Sequence, residues 1–272
     1  MKRGRPAGAN GTPIEAQMKK LLLAFCIFYC IQINTFSQSV YSVDLKKDLI
    51  TGTLSLGIGI STFFIKNEPE NIPGILNKNE VNAFDRSLMF SHNKPLDIIS
   101  DYAPIGLALS PVISIIPNIK HKNTLLTYSI MYGESLLLTY GTVFSLKNAI
   151  IRYRPYMYAD GVPAGKENDY YNSFPSSAAS FAFLGATFLS TTFSHEFPES
   201  EWKVPIITGS YALAAGIGLM RILTGTHFLT DVFTGAAVGS LYGWLIPRLH
   251  LRKDNNIKII PAGNGMIVSL SF

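Results

Sequence analysis

At 272 residues the chain is long enough for one sizeable domain, and only 15% of it is charged against 47% hydrophobic, with a mean hydropathy of +0.23. Soluble domains carry about 25% charge, so this balance argues against disorder, a coiled coil or an ordinary cytosolic fold and for a multi-span membrane protein. The net charge of +5, from 23 Lys and Arg against 18 Asp and Glu, suits positive cytoplasmic loops and does not form the concentrated basic stripe of a nucleic-acid binder.

Residues 1–17 are polar and contain Gly and Pro, which predicts no structure; they read as a mis-assigned start or an added extension. Met18 opens a second beginning, with Lys19 and Lys20 as a positive n-region, Leu21 to Ile33 as an apolar h-region and Thr35-Phe36-Ser37 as a small-residue cleavage site. Residues 18–38 therefore have the layout of a signal peptide or a signal-anchor. Cys26 and Cys30 both lie inside this segment, with no second pair or nearby His to complete a zinc set, so no metal or cofactor is expected from them.

A helix needs about 20 apolar residues to cross a bilayer. Six further stretches approach that length: 49–65, 98–119, 124–146, 176–193, 204–223 and 228–246. The fold class that follows is an all-α polytopic membrane helix bundle of about six transmembrane helices with a short C-terminal extended tail. Glu134 falls inside the third stretch and should face other helices. The fifth and sixth are rich in Gly and Ala, which allows close helix packing. Residues 39–253 read as the membrane domain and 254–272 as the tail, which resembles two short strands around Gly263-Asn264-Gly265.

Placing Lys46 and Lys47, the 120–122 link and the 248–253 cluster inside gives an alternating topology. The 147–175 loop, Arg221 and His227 then lie outside, on the periplasmic face of a bacterial inner membrane. A cleaved signal would make the first span run the wrong way. Either the 18–37 segment is not simply cleaved or the 49–65 stretch does not cross fully.

Three segments place polar residues at the ends of apolar helices. Lys147 closes one helix and Arg154-Pro155 follows, two cations able to grip a multiply charged anion or simply to anchor a span at the interface. Ser173-Phe174-Pro175-Ser176-Ser177-Ala178 is a helix start, whose free N–H groups bind anions, although most such starts are only caps. Arg221 ends one span and His227 begins the next, with Asp231 four residues on and therefore on the same helix face. A carboxylate there can orient the imidazole and stabilise its cation, or serve as a structural cap.

Taken together, Lys-x6-Arg-Pro, Ser-Phe-Pro-Ser and Arg-x5-His-x3-Asp resemble the signature of the type 2 phosphatidic acid phosphatase superfamily over roughly residues 95–247. The resemblance implies an integral-membrane enzyme that hydrolyses a phosphomonoester or diphosphate without a metal. His227 would be the nucleophile and carry a phosphohistidine, and Asp231 would hold it. Lys147, Arg154, Ser176, Ser177 and Arg221 would bind the phosphoryl group. The implied partners are the bilayer and a membrane lipid phosphate: phosphatidic acid, undecaprenyl diphosphate, phosphatidylglycerophosphate or a lipid A phosphate. Neither nucleic acid nor a particular oligomer is implied.

One departure matters. The family's second motif reads Pro-Ser-Gly-His, whereas this chain has Pro175-Ser176-Ser177-Ala178. Ala178 thus stands at the position of the general acid, whose loss costs about 10²–10⁴-fold. A smaller one is Met220, where the family has Ser before Arg221. The chain is then a disabled enzyme, a phosphate-binding pseudoenzyme, or an enzyme that takes its proton from elsewhere. His92, Asp160, Glu167 and Asp169 lie on the expected side for that role. His195 sits about 17 residues along its helix, too far at about 1.5 Å per residue, and His121 and His250 are expected on the opposite side. A transporter is the remaining class, hinted at only by Glu134.

Overall fold

The computed structural model describes residues 40–62, 64, 69, 71–112, 122–167, 169–252, 257–262 and 265–270. The expected leader with Cys26 and Cys30, the preceding extension and His121 all lie outside the described residues. Among the described residues, seven α-helices run in chain order: α1 Leu45–Ser61, α2 Ala83–Arg86, α3 Lys94–Ala108, α4 Lys122–Ala149, α5 Ser177–Glu196, α6 Lys203–Leu223 and α7 Leu229–Leu249. Short 3₁₀ turns occupy Lys78–Glu80 and Pro155–Tyr158, and an antiparallel hairpin pairs β1 Ile257–Ala262 with β2 Gly265–Leu270.

Five of the six apolar stretches each overlap one long helix, and the 98–119 stretch overlaps α3 over 98–108. Their starts are set locally. Asp44 accepts from the Lys46 and Lys47 amides at α1, Asn93 from Leu96 at α3, and Ser176 from Ala179 at α5. Two of the helices among the described residues, α6 and α7, are long and apolar enough to cross a membrane, and only a third of that apolar window is buried in either. A soluble core helix would bury most of it. Their outward faces carry Val204, Leu213, Leu219, Phe233, Leu241 and Trp244, all exposed. The 15-residue α3 reaches about 22 Å, short of an about 30 Å hydrocarbon core.

Helix α5 is the centre of the bundle and touches α3, α4, α6 and α7. Its sequence suits that place, because Ala179, Ala182, Ala186, Leu184 and Phe188 are all fully buried. The closest approach is between α5 and α7. A Cβ at Gly243 would come within 2.8 Å of the Leu184 carbonyl, and Cβ atoms at Gly235 and Gly239 would run into the carbonyls of Ser176 and Ser180. The glycine stripe on α7 therefore serves the contact with α5 more than the α6–α7 pair. At that pair Gly218 faces Val232 instead. Polar bridges tie the helices further: Ser190 to Ser210 at 3.1 Å, Tyr211 to Thr187 at 2.9 Å and Thr142 to Tyr242 at 2.9 Å. Helix α1 lies along α4, where Gly141 admits Ile58 and Gly59.

Candidate active site

The three polar segments are stitched together by backbone hydrogen bonds. The amides of Arg152 and Arg154 donate to the carbonyls of Tyr171 and Tyr170, and the Ser173 amide donates back to Arg152. The Tyr156 amide reaches the Gly225 carbonyl, and the Ser176 amide reaches the Asp231 carbonyl. Gly225 itself has φ of +67°, and a Cβ there would collide with the carbonyls of Phe90 and Ser91, so the turn that carries His227 needs glycine. Residues more than fifty positions apart thus meet at one end of the α5–α7 pair.

They enclose a cavity of about 350 Å³ lined by His227, Lys147, Arg154, Arg221 and Ser177, with Lys166, Asp101 and Asp169 at its sides. His227 is 1% exposed. Its Nδ1 lies 2.7 Å from the Ser173 carbonyl oxygen, an acceptor that can only receive a proton, so Nδ1 carries the hydrogen and Nε2 the lone pair. Arg154 Nη1 donates to that Nε2 at 3.1 Å. Burial, then the charges of Arg154, Arg221 and Lys147, hold the imidazole well below its ordinary pKa and keep it neutral.

The cations already have partners. Arg154 grips both carboxylate oxygens of Asp169 at 2.6 and 2.7 Å, and burial of its guanidinium is outweighed by that carboxylate, so its pKa is raised. Arg221 Nη1 meets Asp101 at 2.6 Å and Asp97 at 3.2 Å, yet its buried Nε has no hydrogen-bond partner among the described residues. Lys147 Nζ donates to the Asn172 carbonyl at 2.6 Å, and Lys166 Nζ reaches Asp97 at 2.9 Å. Asp101 and Asp169 are roughly half exposed, at 47% and 42%, so the carboxylates covering the cations face the solvent side.

Asp231 stands one layer back from where the sequence suggests. Its Oδ2 is 3.8 Å from His227 Nδ1, and the direct acceptor is the Ser173 carbonyl. Asp231 instead accepts from the Ser173 hydroxyl at 2.6 Å, from the Phe228 amide at 2.8 Å and from Arg152. It therefore fixes the loop that fixes the histidine. Arg152 also pairs with Asp85 at 2.6 Å and lies 4.6 Å over the Phe228 ring. Burial pushes the Asp85 carboxyl up, but hydrogen bonds from the Thr230 amide and hydroxyl, Asn82 and Arg152 hold it below the usual range.

Lys147, Arg154, Arg221, His227 and Ser177 share the cavity, as the sequence proposed. Ser176 does not line it: the residue is fully buried and its hydroxyl caps α5 through the Ala179 amide. Ala178 stands beside it in the first turn of α5, where amides lack intrahelical acceptors by position. Of the alternative proton donors, Asp169 alone lines the cavity among the described residues. His92 is bonded to Asp97 at 3.1 Å and stacks edge-on to Tyr156, while Asp160 and Glu167 are exposed. Sequence reasoning missed Asp85, Asp97, Asp101, Lys166 and the Ser173 carbonyl as partners.

The described residues thus combine a helix bundle, two helices long and apolar enough to cross a membrane, and a buried imidazole that shares a cavity with three cations. The model of the PAP2 superfamily matches residues 128–254 of the chain. Among solved structures, similarity extends to the crystal structure of the first transmembrane PAP2 type phosphatidylglycerolphosphate phosphatase from Bacillus subtilis. The two are 18% identical, with 87% of this chain and 98% of that chain covered and a TM-score of 0.37. No curated protein matches the chain.

Proposed function

We propose that the chain is a multi-pass inner-membrane phosphatase acting on a lipid phosphate or diphosphate, with its site on the periplasmic face and His227 as nucleophile. The observation that carries this reading is that Lys147, Arg154 and Arg221 line one cavity with His227, with Arg154 Nη1 at its Nε2 and the buried Arg221 Nε left without an acceptor among the described residues. An incoming phosphate displaces Asp169 from Arg154 and Asp101 from Arg221, exchanging carboxylate oxygens for phosphoryl oxygens. Arg154 Nη1 passes from Nε2 to a phosphoryl oxygen, Nε2 attacks phosphorus in line, the N–P bond forms, and the ester or anhydride P–O bond breaks, the leaving oxygen taking its proton from solvent. Ser173 holds Nδ1–H, so the lone pair is already aimed and pays no tautomer change. Water attacks the phosphohistidine in the second half, breaking N–P and releasing inorganic phosphate.

Ala178 removes the group that protonates the leaving oxygen, so this chain is slow toward alkoxide leaving groups. Phosphatidic acid, undecaprenyl diphosphate, phosphatidylglycerophosphate and lipid A phosphates are the substrate candidates, and the exposed apolar flanks of α6 and α7 favour a lipid over a soluble ester. The second reading, a phosphate-binding pseudoenzyme, is favoured by Ala178 alone.

Phosphate release from these four lipid classes in detergent tests the proposal, comparing the chain with Ala178→His. The phosphatase reading expects release by Ala178→His at about 10²–10⁴ times the rate of the parent chain. Lipid phosphate that binds to both forms and is hydrolysed by neither establishes the pseudoenzyme.

A further inference from the structure

A second cluster of ionisable groups lies at the other end of the bundle. His250 caps the C-terminal end of α7, a helix about 30 Å long whose first turn holds Asp231. Its imidazole is 4% exposed and faces Asp48 of α1 and Glu134 of α4, which is 6% exposed. One ligand atom from each of the three lies within 4.8 Å of the others, with His250 Nε2 2.8 Å from Asp48 Oδ1 and 3.8 Å from Glu134 Oε2.

Two independent details fix the orientation of these atoms. His250 Nδ1 lies 2.9 Å from the Ile246 carbonyl and so carries a proton, which turns the Nε2 lone pair of the neutral ring into the cluster. The Thr51 hydroxyl donates to Glu134 Oε1 at 2.6 Å and leaves Oε2 facing the same point. Yet His250 Nε2, both Asp48 oxygens and Glu134 Oε2 are buried and make no hydrogen bond among the described residues, the 2.8 Å approach of Nε2 to Asp48 Oδ1 lacking hydrogen-bond geometry. Acceptors gathered this way repel one another unless a cation joins them. A histidine that anchors its far nitrogen on a carbonyl, beside a carboxylate braced by a hydroxyl, is the outer-shell arrangement of metal ligands.

We propose that Asp48, Glu134 and His250 bind a divalent transition-metal ion of the zinc type. Two carboxylates neutralise its charge, and the imidazole selects against calcium and magnesium, which prefer all-oxygen shells. Ligands at about 2.0–2.2 Å in a tetrahedron are about 3.4 Å apart, which lies between the separations seen here. Three protein ligands leave a fourth position for water. The ion joins α1, α4 and α7 far from His227, so it fastens the bundle and takes no part in phosphoryl transfer.

The test uses the full chain in detergent, stripped with a chelator, loaded with Zn²⁺ and desalted. The expected result is one zinc per chain by elemental analysis, a Tm raised by Zn²⁺ but not by Mg²⁺ or Ca²⁺, and at least a tenfold loss of retained zinc in His250→Gln and Glu134→Gln. His195→Gln keeps the metal. Cobalt(II) loaded into the unsubstituted chain should give an intense visible band from a four-coordinate N/O site, which needs no variant to fold. Less than a tenth of an equivalent of zinc with no Tm response, no cobalt band, or equal retention by His250→Gln and Glu134→Gln would overturn the proposal. None of these readouts depends on phosphatase activity.

Discussion

The Nδ1 atom of His227 hydrogen-bonds the backbone carbonyl of Ser173 at 2.7 Å, and this single contact decides which nitrogen keeps its lone pair. Because the ring is buried among three cations, its pKa in the folded chain is far below the about 6.5 of an unfolded histidine. Between those two values the unfolded chain binds a proton that the folded chain refuses. Stability contributed by neutral His227 is therefore complete above about pH 6.5 and falls as the pH drops below it. Melting curves from pH 8 to pH 5 should show a steeper loss of Tm on acidification for the parent chain than for His227→Gln. Parallel slopes for the two would refute the buried neutral imidazole.

On the proposed reading, Asp169 competes with substrate for Arg154. Its two carboxylate oxygens occupy the guanidinium edge that a phosphate would take. Asp169→Asn removes the charge and weakens this bidentate pair. Inorganic phosphate should bind Asp169→Asn about tenfold more tightly by calorimetry. Weaker binding would mean that Asp169 organises Arg154 instead of blocking it.

Arg152 is a structural clamp. It bridges Asp85 and Asp231, both fully buried, while being 22% exposed itself. Stripping one partner from a buried ion pair typically costs 3–5 kcal/mol, and the partial exposure puts Arg152→Met near the lower end, about 3 kcal/mol. Denaturant titration of Arg152→Met, Asp85→Asn and the double variant should show a coupling well above 1 kcal/mol. Additive losses would place the two residues in separate roles.

Gly239 and Gly216 separate packing from propensity. A Cβ at Gly239 would strike the Ser180 backbone, whereas one at Gly216 meets nothing within 4 Å. Gly239→Val should destabilise by about 1–3 kcal/mol through forced separation of α5 and α7, and Gly216→Val should be close to neutral. Similar Tm values for the two variants would contradict the glycine contact.

The long helices were legible because each overlaps a largely apolar stretch, and the cavity's His227, Lys147, Arg154 and Arg221 were legible because the motifs keep them at or near helix ends. What lies between was not. Asp85 reaches Thr230 and Arg152 across 145 and 67 positions of sequence, from a polar loop with no periodicity. The Ser173 carbonyl is backbone and leaves no side-chain signal. Asp231, four residues from His227, looked like its direct partner on spacing alone, yet the capping bond to Phe228 turns it away. Small residues announced close helix packing without naming the partner, which proved to be α5.

The central claim is that His227 becomes phosphorylated. The most direct measurement is rapid-mixing turnover of p-nitrophenyl phosphate, whose leaving group needs no general acid, followed by intact-mass analysis. The account predicts a burst approaching one p-nitrophenolate per chain, a stalled phosphoenzyme labelled at His227, and loss of both in His227→Gln. Absence of burst and label in the parent chain and in Ala178→His alike would contradict it.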